Sequence, residues 1–164
     1  MMPYLAAVAA GAAMALGLAL GWLRWRLRIV TVTGESMRPT LAPGDRLLVR
    51  RTPLARVRTG DIVVLANPRR AAAAGRRRGH DLMVKRAVAT AGDPVPALVA
   101  PVLSVRPGTP VRDGAIIAIG DNTDVSYDSR VFGYVFSDNL IGVVVRPIHV
   151  HGPAWGSAPA TVPE

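Results

Sequence analysis

Residues 82–91 read LMVKRAVATA. Small and β-branched residues dominate the stretch and Gly92-Asp93 closes it, which is the composition and the punctuation of a strand. Successive side chains of a strand point to opposite faces, so Met83, Lys85, Ala87 and Ala89 share one face and Leu82, Val84, Arg86 and Val88 the other. Lys85 is therefore expected among small and apolar neighbours. The same kind of run recurs on both sides: IVTVT (29–33), RLLVR (46–50), DIVVLA (61–66), VLSV (102–105), AIIAIG (115–120) and GVVVRP (142–147). Each is bounded by Gly, Pro, Asp or Asn, and no amphipathic helix of ordinary length follows residue 30. The expected fold class is mainly β.

The N-terminal end differs in kind. PYLAAVAAGAAMALGLALGWL, residues 3–23, contains no charge and at about 1.5 Å per residue matches the thickness of a bilayer core. A buried core helix would carry a polar face, and a cleaved secretory signal would open on basic residues. This segment does neither, so a retained single transmembrane helix is predicted. Trp22 and Trp25, with Arg24, Arg26 and Arg28, form an interfacial belt, residues 24–28 being its basic flank. The remainder, residues 29–147, is one domain. It is interrupted at 67–81 by NPRRAAAAGRRRGHD, expected to be a mobile Arg/Ala-rich loop, and followed by a Pro/Gly/Ala-rich tail, 148–164, expected to be disordered.

Composition removes several classes of function. The net charge of +9 and a pI near 11.4 would suit a phosphate-bearing partner. The basic residues are spread along the chain, however, and two Phe, three Trp and three Tyr supply no stacking platform, which argues against nucleic acid. There is no cysteine, and His80, His149 and His151 have no ligand-like spacing, so neither a metal nor another cofactor is implied.

Of the 20 basic residues only Lys85 is a lysine. Arginine stays protonated above pH 12, whereas an ammonium can lose its proton within a reachable range. To be half neutral near pH 7, the charged form of Lys85 must be destabilised by about 4.6 kcal/mol, which burial can supply. A serine hydroxyl is a poor nucleophile until a base removes its proton, and such a lysine can act as that base. Ser36, in GESMRPT after the run IVTVT and before Pro39, suits a sharp exposed turn. On these grounds alone it is either a turn residue or a nucleophile.

Four stretches in order, GESMRPTLAPGD (34–45), GDIVV (60–64), VKRAVATAGD (84–93) and GDNTDVSYDSRVFGYV (120–135), resemble the boxes of the type I signal peptidase family of Ser-Lys serine proteases. The resemblance runs over roughly residues 31–147 and singles out the one lysine. It implies coiled antiparallel β-sheets tethered to the membrane, preprotein substrates with small residues before the cleavage site, Ser36 as nucleophile and Lys85 as general base. Ser126 matches the serine that orients the lysine amine, and Asp128 and Arg130, two apart on a strand face, match a supporting ion pair. Asp121 matches a structural aspartate. By the resemblance, the backbone N–H of Ser36 is one candidate oxyanion donor. The family's serine two positions earlier is here Gly34. The resemblance is to the small bacterial form of the family, since the residues between Lys85 and the last box are too few for the large β insertion.

Orientation sets two rules against each other. Preprotein processing puts the domain outside the cytoplasm, while the positive-inside rule would keep Arg24, Arg26 and Arg28 within. The outside placement at the cell membrane is preferred. The alternatives are a maturation protease for one dedicated precursor and an inactive membrane-anchored β module. A self-cleaving repressor is disfavoured because nothing resembles a helix-turn-helix.

Overall fold

The computed structural model describes residues 2–67 and 82–149, with side chains in the first helix described from Gly11 onward, Leu23 excepted. The expected loop at 67–81, apart from Asn67, and the tail from 150 on lie outside the described residues.

Helix α1 (Met2–Arg26) runs straight into β1 (Leu27–Thr31). Its described apolar side chains, among them Met14, Leu16, Leu18 and Leu20, are exposed rather than packed on the domain. Among the described residues no helix is long and apolar enough to cross a membrane, the side chains of residues 2–10 lying outside that set.

Six further strands follow: β2 (Arg46–Arg50), β3 (Ile62–Ala66), β4 (Leu82–Ala89), β5 (Ala115–Ile119), β6 (Val135–Phe136) and β7 (Leu140–His149). They form one open sheet in the order β1-β2-β7-β3-β4-β5-β6, with every neighbouring pair antiparallel. The mainly β expectation holds.

Central β3 explains the architecture. Ile62 and Val64 pack into one cluster with Met37, Leu41 and Leu47, while Val63 and Leu65 pack into a second with Val57, Ala87 and Ile116. Because both faces are covered, the run IVVLA has no polar alternation. A third cluster, built on Val95, Val99, Val111, Ile117 and Ile119, lies under the segment between β4 and β5.

Three expectations are corrected. VLSV is not a strand: Pro101 lies in the first turn of the short helix α2 (Ala100–Leu103), and Ser104 ends it with φ 55°. A proline lacks the N–H that a strand ladder needs but costs a helix nothing in its first turn. Ala89 leaves the Lys85 face, because a register shift between Ala87 and Ala89 turns it into the third cluster against Ile117. The domain also extends past 147, since β7 continues through Ile148 to His149, which pairs with Arg46.

Candidate active site

Ser36 lies in the connection between β1 and β2, and that connection is folded tightly. Leu41 N–H donates to the Met37 carbonyl (2.9 Å) and Arg38 N–H to the Glu35 carbonyl (3.2 Å), coiling the backbone around the serine. Met37 and Leu41 are fully buried in the first cluster and anchor the coil from below. Farther on, the buried Asp45 carboxylate accepts from Ala42 N–H (2.9 Å) and Val32 N–H donates to the Asp45 carbonyl (2.9 Å), closing the loop on itself. The Arg38–Pro39 peptide is cis, and the Arg38 and Glu35 side chains pair on the outer surface.

The loop after β5 holds the same turn from the other side. Asn122 N–H donates to the Ser36 carbonyl (3.0 Å) and Asn122 Nδ2 to the Glu35 carbonyl (3.2 Å). The backbone of Ser36 is thus fixed while its side chain stays partly open.

Lys85 Nζ lies 2.7 Å from Ser36 Oγ, across 49 residues of sequence. β4 delivers the lysine: its register sets Lys85 opposite Val63 and Met83 opposite Leu65 on β3, with Ala87 beyond. The lysine is only 3% exposed. Burial pushes its ammonium from an ordinary 10.5 down to about 8, with Asp128 and Asp121 pulling it back up and Arg130 pushing it further down. About one lysine in ten is then neutral at pH 7, and half at about pH 8, which falls short of the half-neutral state at pH 7.

Asp128 is wholly buried and carries the strongest opposing charge. Burial by itself would raise its pKa, but hydrogen bonds from Arg130 and the Gly120 N–H, with the Ser126 hydroxyl close by, outweigh that and keep it an anion. Arg130 Nε and Nη2 grip the carboxylate at 2.9 and 3.0 Å, and Gly120 N–H reaches it at 3.1 Å. The two residues do pair, but not across a strand face. Asp128 is the N-cap of the short helix α3 (Ser129–Phe132), accepting from Arg130 N–H at 3.1 Å. Neutralised by Arg130, it lifts the Lys85 pKa less than burial lowers it.

Ser126 Oγ is buried and has no hydrogen-bond partner of normal geometry, lying near enough to the Asp128 carboxylate to help hold its charge. No hydrogen bond links it to Lys85. It also abuts Gly120, where an added Cβ would sit 2.3 Å from Ser126 Oγ and 2.5 Å from the Ser36 carbonyl oxygen. Gly34 is exposed, and a Cβ built on it meets nothing within 4 Å.

Asp121 forms a bidentate pair with Arg86, Nε to Oδ1 at 2.8 Å and Nη2 to Oδ2 at 2.7 Å. Arg86 also donates to the Gly60 carbonyl (3.0 Å) and approaches Thr40 Oγ1 at 3.5 Å. One guanidinium therefore joins β4, the turn before β3, the serine loop and the end of β5. Arg86 and Asn122 escaped the sequence reading. The signal for Arg86 was its place beside the only lysine, on the opposite strand face; Asn122 had no signal beyond following Asp121.

Beside the Ser36–Lys85 pair opens a cleft of about 300 Å³, lined by Thr33, Gly34, Leu82, Met83, Val125 and Tyr127 among others. β4 pairs with β5 only from Arg86 onward, so among the described residues Leu82–Lys85 leave one backbone edge unpaired beside it. A larger groove of about 1190 Å³ lies apart, and neither Ser36 nor Lys85 lines it. Among the described residues no cluster of three or more His, Asp or Glu side chains could hold a metal ion.

The chain matches the family model described as "Signal peptidase, peptidase S26" over residues 5–100 and 97–149. It belongs to this family. It is 31% identical over 150 residues to the signal peptidase I of Leptolyngbya laminosa, covering 79% of this chain and 72% of that protein. Two Synechocystis proteins named probable signal peptidase I-1 and I-2 are each 30% identical, over 132 and 129 residues. Each of these alignments takes in 68% of this chain. They cover 65% and 58% of those relatives, so the chain spans somewhat less than two thirds of their length.

Proposed function

We propose that this signal peptidase family member is a membrane-anchored serine endopeptidase that removes N-terminal signal peptides from exported preproteins. The observation that carries the reading is the 2.7 Å approach of a buried, pKa-lowered lysine to a serine in a fixed turn. The family match supplies the reaction class.

In the proposed mechanism neutral Lys85 takes the Ser36 hydroxyl proton as Oγ attacks the scissile carbonyl. The Ser36 backbone N–H donates to the developing oxyanion. Lys85 returns the proton to the leaving amine, which departs as the N-terminus of the mature protein and leaves the signal segment esterified to Ser36. Lys85 then deprotonates a water, the hydroxide attacks the ester, and the Lys85 ammonium returns the proton to Ser36 Oγ as the signal peptide leaves as its carboxylic acid, which ionises in solvent. Asp128 with Arg130 and Asp121 with Arg86 act by positioning. The unpaired edge of β4 suits an extended peptide, and the small cleft suits small side chains before the cut.

The uncharged run 3–23, drawn into a helix whose described apolar side chains stay off the domain, supports the anchor; the domain is placed outside the cytoplasm because exported preproteins are processed there. The test is cleavage of a preprotein bearing an Ala-x-Ala signal by membranes containing wild type, Ser36→Ala or Lys85→Arg. Wild type is expected to cut at the junction and both variants to lose roughly 1000-fold or more. A wild type that cuts nothing, or a fully active Lys85→Arg, would sink the proposal.

A further inference from the structure

The larger groove has a chemistry of its own. It runs beside the end of α1, along β2 and β7 and the segment that follows β2, and it shares no lining residue with the serine cleft. Six arginines line it: Arg26, Arg28, Arg50, Arg51, Arg56 and Arg58. Only two carboxylates, Asp61 and Asp138, stand among them, and Asp61 already accepts from the Arg58 backbone N–H at 2.9 Å. Among the described residues none of the six arginines forms an ion pair; the three pairs present involve Arg38, Arg86 and Arg130.

So many unpaired guanidiniums along one depression repel one another unless an anion shares them. Two of them are held by ring stacking. The Arg26 guanidinium lies 4.6 Å from the Trp22 ring centroid and that of Arg51 5.3 Å from Trp25, which lines the groove. Stacking fixes the plane of a guanidinium and leaves its N–H edge free for paired bonds to phosphate oxygens. The Arg51 N–H also donates to the Arg26 carbonyl at 2.9 Å, which ties this wall to the end of α1.

We propose that the groove binds the phosphate of an anionic phospholipid headgroup. The proposal rests on the membrane-anchored reading of α1. A lipid fits better than a free phosphate because the groove adjoins Trp25 at the helix end, and because the exposed apolar residues Pro53 and Ala55 form part of its wall. Ile29 on β1 and Val145 and Ile148 on β7 are, in addition, exposed large apolar residues on this part of the sheet. Bound headgroups would hold the domain against the bilayer surface beside its own anchor.

The test uses the full chain in neutral detergent micelles, titrated with dihexanoyl phosphatidylglycerol, dihexanoyl phosphatidylcholine or inorganic phosphate while tryptophan fluorescence is followed. A saturable change with phosphatidylglycerol is expected, with none for phosphatidylcholine at equal concentration and a weaker response to phosphate. Raising salt from about 50 to about 500 mM should weaken the wild-type response. The triple variant Arg50→Gln, Arg56→Gln, Arg58→Gln removes three exposed charges outside the serine site. It should weaken phosphatidylglycerol binding by roughly 100-fold while keeping its melting temperature and its cleavage of a peptide substrate. Phosphate binding as tightly as the lipid would reassign the groove to free phosphate and overturn the proposal. So would an equal response to phosphatidylcholine, or a salt-insensitive wild type. A chain that binds phosphatidylglycerol but cuts no preprotein supports this site and sinks the peptidase reading; one that cuts but ignores the lipid does the reverse.

Discussion

Lys85 faces two demands that pull against each other. As the proposed base it must be protonated for part of each catalytic cycle, yet it is only 3% exposed and burial disfavours the ammonium. Asp128 and Asp121 supply enough negative charge to keep protonation within reach, and Arg130 limits how far they succeed. The resulting value of about 8 means that the population of the reactive form rises about tenfold per pH unit below it and levels off above it. Gly34 raises a second question at this scale. It lines the cleft, and a side chain there meets nothing within 4 Å. Gly34→Ser is therefore expected to keep its stability within about 0.5 kcal/mol. If the new hydroxyl reaches the oxyanion, kcat rises by up to about 100-fold with KM unchanged. Steady-state kinetics with a peptide substrate checks this, and an unchanged kcat would mean that a backbone donor already fills the place.

At the scale of elements, the serine turn is clamped between its own buried anchors and the end of β5. Gly120 is the tightest point, because an added Cβ would lie 2.5 Å from the Ser36 carbonyl oxygen and 2.3 Å from Ser126 Oγ. Gly120→Ala should cost about 1–3 kcal/mol, read as a lower melting temperature, and should lose activity even where the variant is fully folded. Much of this level was legible in the sequence. RLLVR coincides with β2, and the apolar runs at 61–66 and 115–120 contain β3 and β5, because a short apolar run between turn residues has few other ways to be buried. VLSV misled because Pro101, one residue before it, starts a helix and tips the run out of the sheet. The nearness of Ser36 and Lys85 could be expected only through the family's boxes, since no local pattern spans 49 residues. The Arg86–Asp121 pair was hidden for a similar reason: strand alternation gives the face of Arg86 but not which loop arrives there.

For the whole molecule, a site that lowers the pKa of a buried base lowers stability at neutral pH. The folded value of Lys85, about 8, lies below its ordinary 10.5, so between these values the unfolded chain binds more protons and stability rises with pH. Below about pH 8 the full penalty applies. Lys85→Met should therefore raise stability at pH 7 by up to about 3 kcal/mol, with the gain shrinking as pH climbs from about 8 toward 10.5. Thermal unfolding of both chains across that range checks the sign; a gain that grows with pH would contradict it. At the surface, six guanidiniums without an ion pair among the described residues crowd one groove beside the last turn of α1.

Activation of Ser36 by neutral Lys85, as proposed, is read most directly in the rate at which Ser36 is acylated by a serine-directed active ester as pH is varied. A tenfold rise per pH unit to a plateau beginning near pH 8 is expected in the wild type, and a flat, baseline rate in Lys85→Arg. A wild-type rate that ignores pH, or a Lys85→Arg variant that follows the wild-type curve, would contradict it.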